Sequence, residues 1–203
     1  MTVKIVNSAD VDALAHIGKG SSIWDYVQVR ENAAIGQECI VGRGAYVGAG
    51  VVIGNRVKIQ NFALIYEPAV IGDGVFIGPA VVLTNDLRPR AINPDGSLKS
   101  GADWDAVGVS VDIGASIGAR SVCVAPLSIG AWAMVAAGST VVHDVPSYAL
   151  VAGVPARQIG WVGRSGDRLE QYDEGRWRCA STGETYAETA EGLILENKDD
   201  TQT

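Results

Sequence analysis

An aliphatic residue recurs at every sixth position from Ile5 through Val11, Ile17 and Ile23 to Ile77 and Leu83, fourteen times in succession. Helices repeat every 3.6 residues and strands every 2, so neither element accounts for this spacing. A coil of short strands does. Three hexad edges close one triangular turn, in which each recurring aliphatic fills the interior. A small or branched residue four places later (Ala9, Ala15, Ser21, Val27 and onward to Val81) lies near the corner. Gly follows the aliphatic at Gly18, Gly36, Gly42, Gly48, Gly54, Gly72 and Gly78, and the turn there is expected to take a conformation that side chains disfavour. These glycines are read as scaffold, because no helix-opening GxGxxG accompanies them. The composition agrees: 25 of 203 residues are Gly, only 2 are Phe, and 47% are hydrophobic while 6% are aromatic, as an interior one aliphatic side chain wide requires.

The period stops after Leu83. The stretch from Thr84 to Ser110, TNDLRPRAINPDGSLKSGADWDAVGVS, has no sustained hexad, and the repeat restarts in a new phase at Val111, Ile117, Cys123, Ile129, Val135 and Val141. Long excursions of this kind are more often functional than accidental. Twenty hexads at three per turn predict an all-β, parallel β-helix solenoid of about six to seven coils, roughly 30 Å long at the usual strand spacing. The solenoid domain is read as residues 1–160, with an external loop at 84–110 and a cap at 143–160. The extension at 161–203 is read as a small hairpin around Ser181–Gly183, with a disordered end from Glu196.

Sixteen Lys and Arg against 23 Asp and Glu give a net charge of -7, the wrong sign for a surface that grips nucleic acid. No apolar run is long enough to cross a membrane and the start resembles no secretion signal, so the reading is a cytoplasmic protein without a membrane partner. Cys39, Cys123 and Cys179 form no CxxC pair, and two histidines, His16 and His143, fall short of a three-histidine zinc site. No metal is expected.

The IGxxxx hexads, the single long loop and the closing VPSYALVAGVPAR resemble the hexapeptide-repeat acyltransferases over about residues 5–160. That resemblance implies a left-handed parallel β-helix, a homotrimer with active sites between subunits, and acetyl-CoA as co-substrate. KIQNFALIYEPAVIGDGVFIGPAVVLTND with Pro89–Arg90, and PSYALVAGVPARQIGW, look like the bacterial enzymes that acetylate the 3-amino group of a nucleotide-linked sugar. The UDP-2-acetamido-3-amino-2,3-dideoxyglucuronate N-acetyltransferases of surface-polysaccharide synthesis are the type resembled. The resemblance assigns Asn85, in the loop-base Thr84–Asn85 pair, to holding the sugar amine, and Ala137, Gly138, Ala152 and Arg157 to the CoA region. A carbonyl oxygen on Asn85 accepts a hydrogen bond from an amine without taking its proton. Gln60, Asn61, Tyr66 and Arg90 are the candidates for the acceptor, since an arginine fork suits a pyrophosphate or carboxylate.

The family's IWHF and a second histidine two residues on are replaced here by Ile23, Trp24, Asp25, Tyr26, Val27 and Gln28, so both histidines are missing. A sugar amine with a pKa near ~8 is partly free at neutral pH, and catalysis by proximity, with the departing thiolate or solvent taking the proton, is the favoured mechanism. Glu67 and Asp86 are the carboxylates that stand as alternative acceptors. Two further readings stay open: a dTDP-linked 3-amino sugar or another small-molecule acceptor, and a non-catalytic solenoid that uses its faces for protein contacts.

Overall fold

The computed structural model describes residues 2–196, and among these no helix occurs. Short strands stack in parallel on three faces. The first face runs from Lys4–Ile5 through Ile40–Val41, Lys58–Ile59 and Phe76–Ile77 to Met134–Val135 and Ala149–Gly153. The second runs from Asp10–Val11 through Tyr46–Val47, Leu64–Ile65 and Val82–Leu83 to Thr140–Val141, and the third from His16–Ile17 to Leu127–Ile129. Successive rungs pair three hexads apart, as in Lys4 with Ser22 and Leu64 with Val82. The inward residues Ile23, Ile65, Ile77, Leu83, Ile117 and Cys123 are fully buried in one continuous core.

The first face carries eight parallel rungs rather than six to seven. The hexad count stops at Val141, but Ala149–Gly153, placed in the cap by its prolines, pairs in parallel with Met134–Val135 before turning back antiparallel to Ala156–Trp161. The segment between Val82–Leu83 and Val109–Val111 falls inside the 84–110 expected of the loop. In an unbroken stack Val82 would pair with Ser100, three hexads on; it pairs with Val122 instead, and the third face resumes at Val109–Val111. The inserted length is the offset between those two partners. It exceeds three hexads by four, which is the phase change seen in the repeat.

The glycines after each aliphatic owe their place to close approach, not to turn conformation. A Cβ at Gly72 would lie 2.8 Å from the Ile113 backbone nitrogen of the next coil. The left-handed backbone falls two residues later in most hexads, and there Tyr26, Asn32, Glu38, Arg56, Phe62 and Ala80 adopt φ of 54–61° where other hexads have Gly20, Gly44, Gly50 or Gly74. These non-glycine corners point outward, where the stack tolerates a side chain.

Residues 161–196 form more than a hairpin. Leu169–Asp173, Arg176–Cys179, Thr185–Thr189 and Gly192–Leu195 make a four-stranded antiparallel sheet around buried Tyr186, Cys179, Leu169 and Leu193. It meets the solenoid at Tyr148 and through a Ser147–Gly192 bridge. The expectation of disorder in the ENKDDTQT segment falls, beyond Glu196, outside the described residues.

Candidate active site

The three-hexad step places residues distant in sequence on common edges. On the edge between the second and third faces, Arg30, Gly48, Tyr66 and Thr84 form one column, and Glu31, Ala49, Glu67 and Asn85 the next. The loop leaves the helix here. The Thr84 backbone N–H still bonds to Cys123 O at 3.0 Å, while its Oγ1 accepts from the Ala125 N–H at 3.0 Å. One residue on, the Asn85 backbone carbonyl accepts from the Val107 N–H at 3.2 Å, so the outgoing and returning arms are pinned together at the neck of the loop. Asn85, half-buried, is held at that neck through its backbone carbonyl.

Directly below, the Tyr66 ring lies 5.2 Å from that of Tyr46, tilted by 48°. Burial, and then the charge of nearby Glu67, push the Tyr46 phenol up, while a bond from Arg30 pulls the other way. Arg30 is also paired with Glu31 at 2.8 Å. Glu67 occupies the rung immediately before Asn85, and its Oε2 is buried without a hydrogen-bond partner. Asp86, by contrast, is engaged in the first turn of the loop, where its Oδ1 accepts from the Arg88 N–H at 2.8 Å. Arg90 is exposed farther out, bonded to the Pro89 carbonyl at 2.8 Å, beside a hollow it shares with Asp86, Lys99 and Trp104.

Gln60 and Asn61 do not lie on this edge. They sit where the first face turns into the second, lining a shallow hollow with Trp24, Asp25 and Arg43. Ala137 and Gly138 stand on that same first edge, three rungs farther along. The Gly138 N–H bonds to Ala119 O at 2.8 Å, and the Gly153 N–H reaches Ser139 Oγ at 3.3 Å, which brings the terminal hairpin to this corner. Ala152 and Arg157 are paired across that hairpin, with Arg157 exposed. One chain therefore gathers Tyr66 and Asn85 on one edge, and Gln60, Asn61, Ala137, Gly138, Ala152 and Arg157 along another.

Sequence distance hid two members of the loop edge. His143, which reads as part of the far cap, follows Thr140–Val141 and stands at the same corner of the solenoid as Asn85, two rungs on. Counting back three hexads from Val141 to Cys123, and then across the insertion to Leu83, would have found it. Glu67 was legible as a carboxylate but not as a buried one. His16 projects from the third face, on a strand remote from the loop. Among the described residues no group of three His, Cys, Asp or Glu side chains is placed to hold a metal.

Residues 15–49 and 50–85 match the family described as bacterial transferase hexapeptide (six repeats). Over 60 residues, 30% of this chain and 31% of the relative, the sequence is 53% identical to dTDP-3-amino-3,6-dideoxy-alpha-D-galactopyranose 3-N-acetyltransferase of Aneurinibacillus thermoaerophilus. The match thus spans under a third of that curated relative. A hexapeptide-repeat containing acetyltransferase of Vibrio cholerae, solved with acetyl coenzyme A, is 26% identical with a TM-score of 0.51, covering 64% of this chain and 70% of that one. The UDP-N-acetylglucosamine acyltransferase of Bacteroides fragilis shares the fold at 17% identity, with a TM-score of 0.64 over 79% of this chain and 61% of that one.

Proposed function

We propose, from the match of residues 15–49 and 50–85 to the bacterial transferase hexapeptide family, that the chain is an N-acetyltransferase that moves acetyl from acetyl-CoA to the 3-amino group of a nucleotide-linked amino sugar. The observation that carries this reading is the neck of the loop: Asn85, a residue with a side-chain amide, has its backbone carbonyl pinned where the only long insertion among the described residues leaves the solenoid. The stretch 53% identical to a dTDP-3-amino-sugar acetyltransferase supports an amino-sugar acceptor, and the Vibrio cholerae likeness supports acetyl-CoA as donor. UDP is the nucleotide favoured by the resemblance of the loop and cap segments, with dTDP as the alternative that the curated relative favours. Bacterial surface-polysaccharide synthesis in the cytoplasm is the setting such a substrate implies.

In this mechanism the Asn85 side-chain carbonyl accepts a hydrogen bond from the sugar amine and turns its lone pair toward the thioester. Attack forms the C–N bond, a backbone N–H stabilises the oxyanion, and C–S cleavage releases the CoA thiolate. Tyr66 and Arg90 contact the acceptor from the loop edge, with Gln60 and Asn61 reaching it from the other. Ala137, Gly138 and Ala152 leave room for the pantetheine arm, and Arg157 offers a charge to a CoA phosphate. Because these groups lie on two edges of one chain, a site using all of them takes neighbouring copies, which supports a homotrimer.

The test is thiol release from acetyl-CoA in the presence of UDP- and dTDP-linked 3-amino sugars. Release with either sugar is expected. No release with any amino sugar, together with no CoA-dependent rise in melting temperature, overturns the assignment. Asn85→Ala is expected to lower turnover by about 100-fold or more, the scale of losing one oriented contact to the reacting centre, while oligomeric state is kept.

A further inference from the structure

Two corner side chains elsewhere in the solenoid show what Glu67 would do if it were structural. Asn55 Oδ1 lies over Gly36 and accepts the Gln37 N–H at 2.9 Å, and Asp73 Oδ1 lies over Gly54 and accepts the Asn55 N–H at 2.7 Å. Each is the second residue after an inward aliphatic, and each bonds to the backbone one full turn earlier. Glu67 holds the same position relative to Gly48 and Ala49, and a Cβ at Gly48 would collide with its Oε2. One methylene longer than Asp, Glu67 overshoots the backbone donor, and its Oε2 is buried without a partner. A carboxylate oxygen removed from water and left unbonded costs stability, so its retention calls for a partner that arrives with the substrate.

Position names that partner. Asn85 is one rung away in the same column, about 4.8 Å along the helix. The titratable and charged groups around Glu67 are Tyr46, Tyr66, Arg30 with its partner Glu31, and Asp86 in the loop; Arg30 is committed to Glu31 and Asp86 to the Arg88 backbone. We propose that Glu67 is a further catalytic residue, which receives the acceptor's ammonium group and takes its proton, handing the free amine to Asn85. This rests on the N-acetyltransferase reading and departs from catalysis by proximity alone. The ammonium loses one proton to the Glu67 carboxylate. The neutral amine then forms the C–N bond, and the thioester C–S bond breaks with its electron pair on sulfur. The nitrogen's second proton goes to the thiolate, giving CoASH, and Glu67 returns its proton to solvent.

The experiment compares wild type, Glu67→Gln and Glu67→Asp with a nucleotide-linked 3-amino sugar between pH 6 and 9. Glu67→Gln keeps shape and hydrogen-bonding capacity, and is expected to lower kcat/KM by about 100-fold at pH 7, within the usual range for a lost general base. That deficit should shrink as pH passes the amine's own pKa near ~8, where solution supplies free amine. A merely structural role would give a deficit independent of pH. Glu67→Asp keeps the charge but has the reach of Asp73, so it should bond to the Ala49 N–H, raise the melting temperature and still lose activity. An active wild type with an unchanged Glu67→Gln, or a deficit constant with pH, overturns the role of Glu67 alone. A wild type that acetylates no amino sugar overturns the N-acetyltransferase reading, and this role with it.

Discussion

The solenoid and the C-terminal sheet solve the same problem with opposite materials. Inside the solenoid the largest fully buried side chains are Ile and Leu, repeated rung after rung on parallel strands. The sheet at 169–195 closes instead on unlike shapes: Tyr148 and Tyr186 meet edge to face at 5.1 Å, Trp161 and Trp177 at 6.3 Å, and Cys179 is fully buried among them. Tyr186 is tied by polar bonds as well, its hydroxyl accepting from the Arg164 N–H at 3.1 Å and donating to Glu184 Oε2 at 2.7 Å. In a repeat, stability is spread over many equivalent contacts between neighbouring rungs, whereas the small sheet concentrates it in a few irreplaceable ones. The consequence for function is that a regular rung can be read as scaffold, and only its irregularities, such as Glu67 and the neck at Asn85, need another reason.

The sharpest way to break this contrast is Ile65→Ala. With Ile65 fully buried, the cavity should cost about 3 kcal/mol, read from the denaturant midpoint. A loss under about 1 kcal/mol would mean that neighbouring rungs collapse into the space and that the stack is less rigid than its register implies. Tyr186→Phe, which removes both hydroxyl bonds without changing shape, should cost about 1–2 kcal/mol and disturb the fluorescence of Trp161 and Trp177, leaving the parallel-sheet signal intact. If the solenoid signal moves with it, the two regions unfold as one.

Acid should separate them more gently. Hydrogen bonds from Arg164, then Tyr186, hold Glu184 below the usual carboxylate range, and Ser181 and Ser165 do the same for Asp167. A carboxyl depressed in the folded state adds stability that is complete above its unfolded pKa and lost as pH falls through the folded one, so the sheet should loosen from about pH 4.5 downward. Among the described residues no carboxylate-bearing residue of the solenoid is buried as a whole, although Glu67 has one oxygen buried, Asp73 at a corner is lowered by its bonds from Asn55, and Glu31 is lowered by its own backbone and Arg30. With Trp24 and Trp104 replaced by Phe, the fluorescence of the tryptophans around the sheet should therefore change at higher pH than the far-ultraviolet signal of the stack; coincident transitions would remove the distinction.

The stack was legible because each rung is dictated by the same local rule: one inward aliphatic at Ile59, Ile65 or Ile71 needs no knowledge of the rest of the chain. The neck residue Asn85 was legible for the complementary reason, since it stands where that rule fails. The C-terminal sheet was not, because Tyr186, Leu169 and Leu193 have no period and find one another only through tertiary packing. Nor was the eighth rung, since Pro146 and Pro155 around Ala149–Gly153 read as a stop while the strand between them continues the first face.

The sequence by itself determined the three-faced parallel coil, the place of its interruption and the acidic, aromatic-poor character of the whole, all of which follow from residue spacing and composition. Only the tertiary structure decided which residues share an edge. Three-hexad steps place Glu67 under Asn85, the insertion leaves His143 at the same corner as both, and Gln60 and Asn61 go to a different corner. The physical reason is that a period fixes which way a side chain points, whereas closure of each turn and the length of the insertion fix what it points beside.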